Sequence, residues 1–336
     1  MKIGVLGAGT WGIALASLLV GNGHEVTVWS AIPSEIDDLA ESGVHRNLPG
    51  IILPKTICYT KEIKCIADEN EMILVVVPSS FVRSTTEKLA PHLKDGAILI
   101  TAAKGIESGS LLTMTEIISD VLDRDRPELK YKVAALSGPT HAEEVAAGIP
   151  TSIVSACEDE KISQRIAEVF ANSCMRVYTN TDVKGVEICG AMKNIIAIAA
   201  GTITGMGLGD NTKAMLMTRG IAEITRLGVA MGCKRRTFMG LAGIGDLIVT
   251  CTSRHSRNNR CGELIGQGKT YEEAADEIGM VVEGYHALEA AMELSKEYNV
   301  EMPITEAVYQ VIKDGLAPGD AMYRLMTRDL KSELDD

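Results

Sequence analysis

Lys193 stands in "GVEICGAMKNIIAIAAGT", a run whose other members are almost all apolar or small. An ammonium in such surroundings either stretches its stem to water or is held where it can exchange a proton. Burial, with neighbouring cations such as Lys104 or Arg257, is expected to bring its proton affinity toward neutral pH, which suits a general acid and base. Lys104, in "ITAAKGIESG", follows a strand-like run and is expected to emerge at the carboxyl edge of a sheet, where ligands bind in open α/β folds. The third feature is "SRHSRNNRCG", residues 253–262, where Arg254, Arg257 and Arg260 gather without an acidic residue in a chain of formal net charge −12. So acidic a chain repels nucleic acid and anionic membrane surfaces, and any anion it binds has to be caught locally.

"GVLGAGTWGIALASLLVGNGHEVTVWS" contains Gly7, Gly9 and Gly12 as G-x-G-x-x-G between one strand-like run and a helical one, with a second strand after it. Gly7 serves the tight turn, Gly9 admits backbone close to a pyrophosphate, and Gly12 allows the helix to pack closely. The helix start then offers unpaired N–H groups and the positive end of its dipole to the phosphates. At the end of the second strand, Ser30, Ala31 and Ile32 supply neither the acidic side chain that binds ribose hydroxyls nor an arginine for a 2′-phosphate. Glu35 is expected in the following helix, and the choice between NADH and NADPH stays open.

In "LSGPTHAEEVAAG", Gly138 and Pro139 turn the chain after another strand, and Thr140 offers a hydroxyl near a helix start, fit for an anionic ligand or for a simple cap. His141 beside it reads as structural. Asp246 follows the glycine-rich break in "GLAGIGDLIVTC", which no strand precedes. Cys251, His255 and Cys261 match no standard zinc spacing, and three arginines beside them disfavour a cation. The eight cysteines form no C-x-x-C pair and read as reduced thiols of a cytoplasmic protein.

These residues must be positioned by a scaffold, and the first half of the chain predicts one. "KIGVLG", "EVTVW", "MILVVV", "AILITAA", "KVAALS", "TSIVSA" and "MRVYT" are short and nearly continuous in apolar character, as strands buried on both faces are. Amphipathic stretches such as 83–92 and 111–122 alternate with them, the pattern of a doubly wound, mostly parallel Rossmann-type sheet over residues 1–185. From 186 to 336 an all-helical domain is expected, with Asp210 or Asn211 capping "KAMLMTRGIAEITRLG". No signal peptide is expected at the start. The apolar run 186–201 is broken by Glu187, Lys193 and Asn194, which argues against a membrane span. Two domains leave a cleft as the default ligand site. The Ala- and Met-rich second half is compatible with a homodimer.

Taken together, "GAGTWGIALA", "AAKGIE", "LSGPTHAEEVAAG", "CGAMKNIIAIAAG", "GLAGIGDLIVTCTSRHSRN" and "VVEGYHA" resemble the bacterial NAD(P)-dependent glycerol-3-phosphate dehydrogenases from residue 1 to about 325. The resemblance implies reversible reduction of dihydroxyacetone phosphate to sn-glycerol 3-phosphate, a phospholipid precursor. It makes Lys193 the general acid and base at the C2 oxygen. It assigns Lys104, Gly138, Thr140, Asp246, Ser256, Arg257 and Asn258 to the substrate. It assigns Thr10, Trp11, Lys104, Ala142, Arg257, Val281 and Glu283 to the cofactor. Many members carry a basic residue just after "VWS", where this chain has Ala31. A related hydroxyacid or hydroxyacyl dehydrogenase would call for a carboxylate or acyl-carrier site in place of "SRHSRN". A non-catalytic dinucleotide sensor would have no use for Lys193.

Overall fold

The computed structural model describes residues 1–330, 332 and 333. The chain divides into two compact units, Met1–Lys104 with Leu112–Val183, and Gly105–Leu111 with Lys184–Asp336. Gly105–Leu111 thus belongs with the second unit, although a sequence boundary near 185 assigns it to the first. Residues 331 and 334–336 of the expected second domain lie outside the described residues.

The first unit runs β1 (Lys2–Leu6), α1 (Thr10–Gly21), β2 (Glu25–Trp29), α2 (Pro33–Ser42), β3 (Cys58–Thr60), α3 (Ile63–Glu69), β4 (Met72–Val75), α4 (Val82–Leu89) and β5 (Ala97–Thr101). It continues through α5 (Met114–Asp125), β6 (Tyr131–Ser137), α6 (Ala142–Ala146), β7 (Thr151–Ala156), α7 (Glu160–Phe170) and β8 (Met175–Asn180). The eight strands form one sheet in the order β3-β2-β1-β4-β5-β6-β7-β8, all pairs parallel except β6 with β7. Seven strands match the apolar runs of the sequence. The edge strand β3, "CYT", escapes such a reading because it is only three residues long and none of them is buried.

The continuous apolar character of the strands has a direct cause. Ile3, Val5, Met72, Leu74, Ile98 and Ile100 pack on one face of the sheet, while Leu6, Ile73, Val75, Ala97 and Leu99 pack on the other. Successive side chains point to opposite faces, and helices cover both. The strand order reverses between β1 and β4, so the carboxyl ends of these neighbours mark the switch point at which doubly wound sheets bind ligands.

From Lys184 on, the regular structure of the second unit is helical among its described residues. It contains α8 (Val183–Gly205), α9 (Asp210–Ala230), α10 (Arg235–Phe238), α11 (Asp246–Thr252), α12 (Arg257–Gly266), α13 (Tyr271–Ile278), α14 (Glu283–Glu297), α15 (Pro303–Lys313) and α16 (Pro318–Met326). The cap of α9 differs from expectation: Gly209 is its N-cap and no side chain bonds there, so Asp210 lies inside the first turn. A carboxylate in that turn still meets the positive end of the helix dipole. Helix α8 has the length and composition to cross a membrane, yet 89% of its most apolar window is buried inside the protein. Glu187, Lys193 and Asn194, the polar interruptions of that run, are buried with it.

Two glycine pairs bring α8 against α12. A Cβ on Gly201 would collide with the Asn259 carbonyl and sit 2.8 Å from the Glu263 nitrogen, and Gly205, Gly262 and Gly266 are equally closed by backbone of the facing helix. The spacing of four in each pair lines the small residues on one face, which lets the two backbones touch. Elsewhere in the unit, the carboxylate of Glu223, 1% exposed, accepts hydrogen bonds from Ile304 N, Thr305 N and the Thr305 hydroxyl at the start of α15. Burial raises its proton affinity and these bonds partly counter that rise.

Candidate active site

In the first unit the glycine loop connects β1 to α1 at the switch point. Gly7 has φ +120°, and a Cβ there would lie 2.7 Å from the Val76 carbonyl oxygen of the neighbouring strand's end, so only glycine fits. Gly12 is closed in the same way by the Gly7 carbonyl. Gly9 is the exception: a Cβ there would meet nothing within 4 Å. Two glycines shape the turn, and the third leaves an open cradle over the first turn of α1, which begins at Thr10 and Trp11 without a side-chain cap. Asn47 Nδ2 donates to Thr10 Oγ1 at 3.3 Å and ties the loop after α2 to this turn.

Lys104 lies three residues past β5, half-buried, and its Nζ donates to the Gly138 carbonyl oxygen at 3.4 Å. The Thr140 hydroxyl donates to the same oxygen at 3.2 Å. A Cβ at Gly138 would lie 3.1 Å from Ile153 Cα and 3.2 Å from the Ser152 carbonyl oxygen, a tight fit against the neighbouring strand. His141, not Thr140, is the N-cap of α6, and Ala142 is its first residue. The structure thus gathers Lys104, Gly138, Thr140 and Ala142 at one place in the first unit.

In the second unit Lys193 is 6% exposed. Its Nζ donates to Asp246 Oδ1 at 2.5 Å and to Thr250 Oγ1 at 2.6 Å, while the Thr250 hydroxyl donates to the Asp246 carbonyl oxygen at 2.6 Å. The charged group that the structure bonds to Lys193 is a carboxylate, itself 1% exposed. An opposite charge is what allows an ammonium to be buried at all. Thr250 does not stand out in the sequence, although its place one helical turn after Asp246 puts both on one face of α11.

Beside this pair, Asn258 Nδ2 donates to Asn194 Oδ1 at 3.0 Å, and Asn258 Oδ1 accepts from Gly284 N at 2.9 Å. One carboxamide therefore joins α8, α12 and the start of α14, where Val281 and Glu283 lie. The Ser256 hydroxyl, 4% exposed, accepts from Asn259 N at 3.2 Å and caps α12. The side chains of Ser256 and Asn258 are thus engaged within the protein, and Arg257 between them is the first residue of α12. Arg254, His255 and Arg260 are exposed. Burial pushes the thiols of Cys251 and Cys261 up to about 12, so both are neutral at ordinary pH.

Hydride transfer to or from a bound dinucleotide, with a lysine to handle the accompanying proton, is the chemistry such a chain is equipped for. That places it among the two-unit nicotinamide-dependent dehydrogenases. Residues 2–163 match the model of the NAD-dependent glycerol-3-phosphate dehydrogenase N-terminus, and residues 182–323 match that of its C-terminus. The chain belongs to the family of NAD(P)-dependent glycerol-3-phosphate dehydrogenases. A glycerol-3-phosphate dehydrogenase [NAD(P)+] of Lactobacillus delbrueckii subsp. bulgaricus is 54% identical over 99% of both chains. One from Agathobacter rectalis is 47% identical over 99% of this chain and 97% of its own. The crystal structure of glycerol-3-phosphate dehydrogenase from Coxiella burnetii superposes with a TM-score of 0.92 at 36% identity, covering 97% of this chain and 99% of that one.

Proposed function

We propose that this enzyme reversibly reduces dihydroxyacetone phosphate to sn-glycerol 3-phosphate, with Lys193 as the proton donor and acceptor at the C2 oxygen. The observation that carries the reading is the buried Lys193, held by Asp246 and Thr250 on a neighbouring helix. The open surface over Gly9 and the uncapped first turn of α1 fit the pyrophosphate of a dinucleotide, since any side chain at Gly9 would fill that space. When bound, the nicotinamide supplies or accepts the hydride.

The residues of the chain do the rest. As hydride reaches the ketone carbon, negative charge grows on its oxygen, and the Lys193 ammonium stabilises that charge and hands over a proton. In the oxidising direction the neutral amine takes the proton back. Asp246 and Thr250 hold the Lys193 ammonium before substrate arrives, so little reorganisation accompanies the step. Lys104 with the Gly138–Thr140 turn contributes donors to the substrate. For the phosphate, Arg257 offers a planar set of N–H groups, and the N-terminal turn of α12 adds backbone N–H groups and a favourable dipole. The Ser256 hydroxyl accepts from Asn259 N and keeps its own proton to donate, and Asn258 Nδ2 has a second hydrogen beyond the one given to Asn194, so both side chains are held in place beside Arg257 with a donor left for the phosphate. The free thiols of all eight cysteines support a cytoplasmic setting.

The test follows loss of reduced-nicotinamide absorbance with dihydroxyacetone phosphate, using NADH and NADPH in parallel. Turnover is expected, and none with either nucleotide would sink the reading in favour of a sensor. In the same assay Arg257→Ala is expected to raise KM for dihydroxyacetone phosphate by about 10- to 100-fold, the worth of a charge-assisted hydrogen bond, with a smaller change in kcat. An unchanged KM would remove Arg257 from the phosphate site.

A further inference from the structure

We propose that Glu35 makes this chain select NADH over NADPH. The inference rests on the dinucleotide reading above and asks which nucleotide the first unit takes. In sequence Glu35 stands six residues beyond Trp29, the last residue of β2, a separation that by itself puts it far from the strand end. The fold brings it back. Ser30, 6% exposed, accepts a hydrogen bond from Ile32 N at 3.1 Å and donates one from its hydroxyl to Glu35 Oε2 at 2.6 Å. Pro33 starts α2 immediately after this turn, so Glu35 falls in the first helical turn with its carboxylate directed at the end of β2. Only Oε2 is engaged; Oε1 has no hydrogen-bond partner among the described residues.

In a doubly wound dinucleotide fold the carboxyl end of β2 faces the ribose hydroxyls of the adenosine half, and an acidic residue about 20 positions past the glycines accepts from them. Glu35 lies 23 positions past Gly12. A carboxylate with one oxygen held by Ser30 and the other available accepts a 2′-hydroxyl readily, whereas a 2′-phosphate would meet like charge at hydrogen-bond distance. The surroundings reinforce this. Helix α2, "PSEIDDLAES", carries Glu35, Asp37, Asp38 and Glu41 without a cation, and the nearby Lys61 is paired with Asp37 at 2.6 Å. Ala31 offers no positive charge. Arg46, in the loop after α2, is the competing cation: it is exposed, and the half-buried His45 beside it feels both Arg46 and Glu35.

The experiment measures Kd for NADH and NADPH by nucleotide fluorescence, and kcat/KM for each with dihydroxyacetone phosphate, in the unmodified chain, in Glu35→Gln and in Glu35→Gln/Ala31→Arg. The expected result is a preference for NADH of about tenfold or more in both readouts. Glu35→Gln keeps an acceptor for Ser30 and removes the charge, so it should bring the two nucleotides closer together; adding Ala31→Arg should favour NADPH. Equal Kd values in the unmodified chain, or a ratio unmoved by Glu35→Gln, would overturn the proposal. A preference for NADPH would also overturn it and assign the 2′ position to Arg46. Binding of neither nucleotide would defeat the dinucleotide reading itself, an outcome distinct from equal binding of both.

Discussion

Replacing Lys193 by methionine is expected to lower kcat by about 10²- to 10⁴-fold, the usual worth of a positioned acid and base, while the Kd for NADH stays within a small factor of its starting value. The lysine's partners Asp246 and Thr250 lie in its own unit, and the glycine cradle lies in the other. A loss of activity alone would be ambiguous, because Asp246, 1% exposed, would be left as a buried carboxylate without its cation. Breaking a buried pair on one side costs about 3–5 kcal/mol. Lys193→Met should therefore also lower the Tm of the second unit. The double variant Lys193→Met/Asp246→Asn removes both charges and should recover much of that stability, without recovering turnover. Recovery of both stability and activity in the double variant would show that Lys193 serves the fold and not the proton. Retained activity in Lys193→Met would do the same.

The second large effect concerns the crossing of α8 and α12. Gly201→Ala adds one methyl group, yet that methyl has no room: the Asn259 carbonyl and the Glu263 nitrogen of the facing helix occupy its place. Backbone cannot rotate aside as a side chain can, so the helices must part. Overpacking of this kind costs about 1–3 kcal/mol and more where backbone has to shift, and alanine's better helix propensity, about 1 kcal/mol, offsets only part of it. A drop in Tm is expected, accompanied by a higher KM for the phosphorylated substrate. The second effect follows because α8 carries Lys193 and Asn194, α12 carries Arg257 and Asn258, and the Asn194–Asn258 bond spans the crossing at 3.0 Å. Gly21→Ala, where a Cβ meets nothing within 4 Å, is the control and should leave both quantities near their starting values. Equal stability of Gly201→Ala and the unmodified chain would mean that the crossing relaxes freely.

How much of this molecule is legible in its sequence depends on how local the causes are. Apolar runs such as "MILVVV" announce buried strands because burial on two faces demands an apolar residue at every position, a requirement written within five or six residues. The glycine loop is legible for the same reason, since turn, close approach and helix packing are set by neighbours in the chain. Strand β3 is not legible, as an exposed three-residue edge strand owes its existence to the backbone of β2 beside it. The cap of α9 departs from the side-chain cap its sequence suggests, because glycine at N-cap and aspartate one position later satisfy the helix start by dipole rather than by a side-chain bond.

At the site, the chemistry-bearing residue types stand out in the sequence: a lysine in an apolar run, an arginine cluster in an acidic chain, and a glycine turn opening a helix. Those features follow from the cost of placing charge or losing a side chain, which residue type and local context reveal. Partnership comes from tertiary packing. Lys193 meets Asp246, 53 residues away, Asn258 meets Asn194 across 64, and Glu35 returns to the end of β2 through one serine hydroxyl. Hydrogen bonds and ion pairs form between whichever groups the packing of helices brings within about 3 Å. That distance is a property of how backbones cross, and no spacing along the chain encodes it.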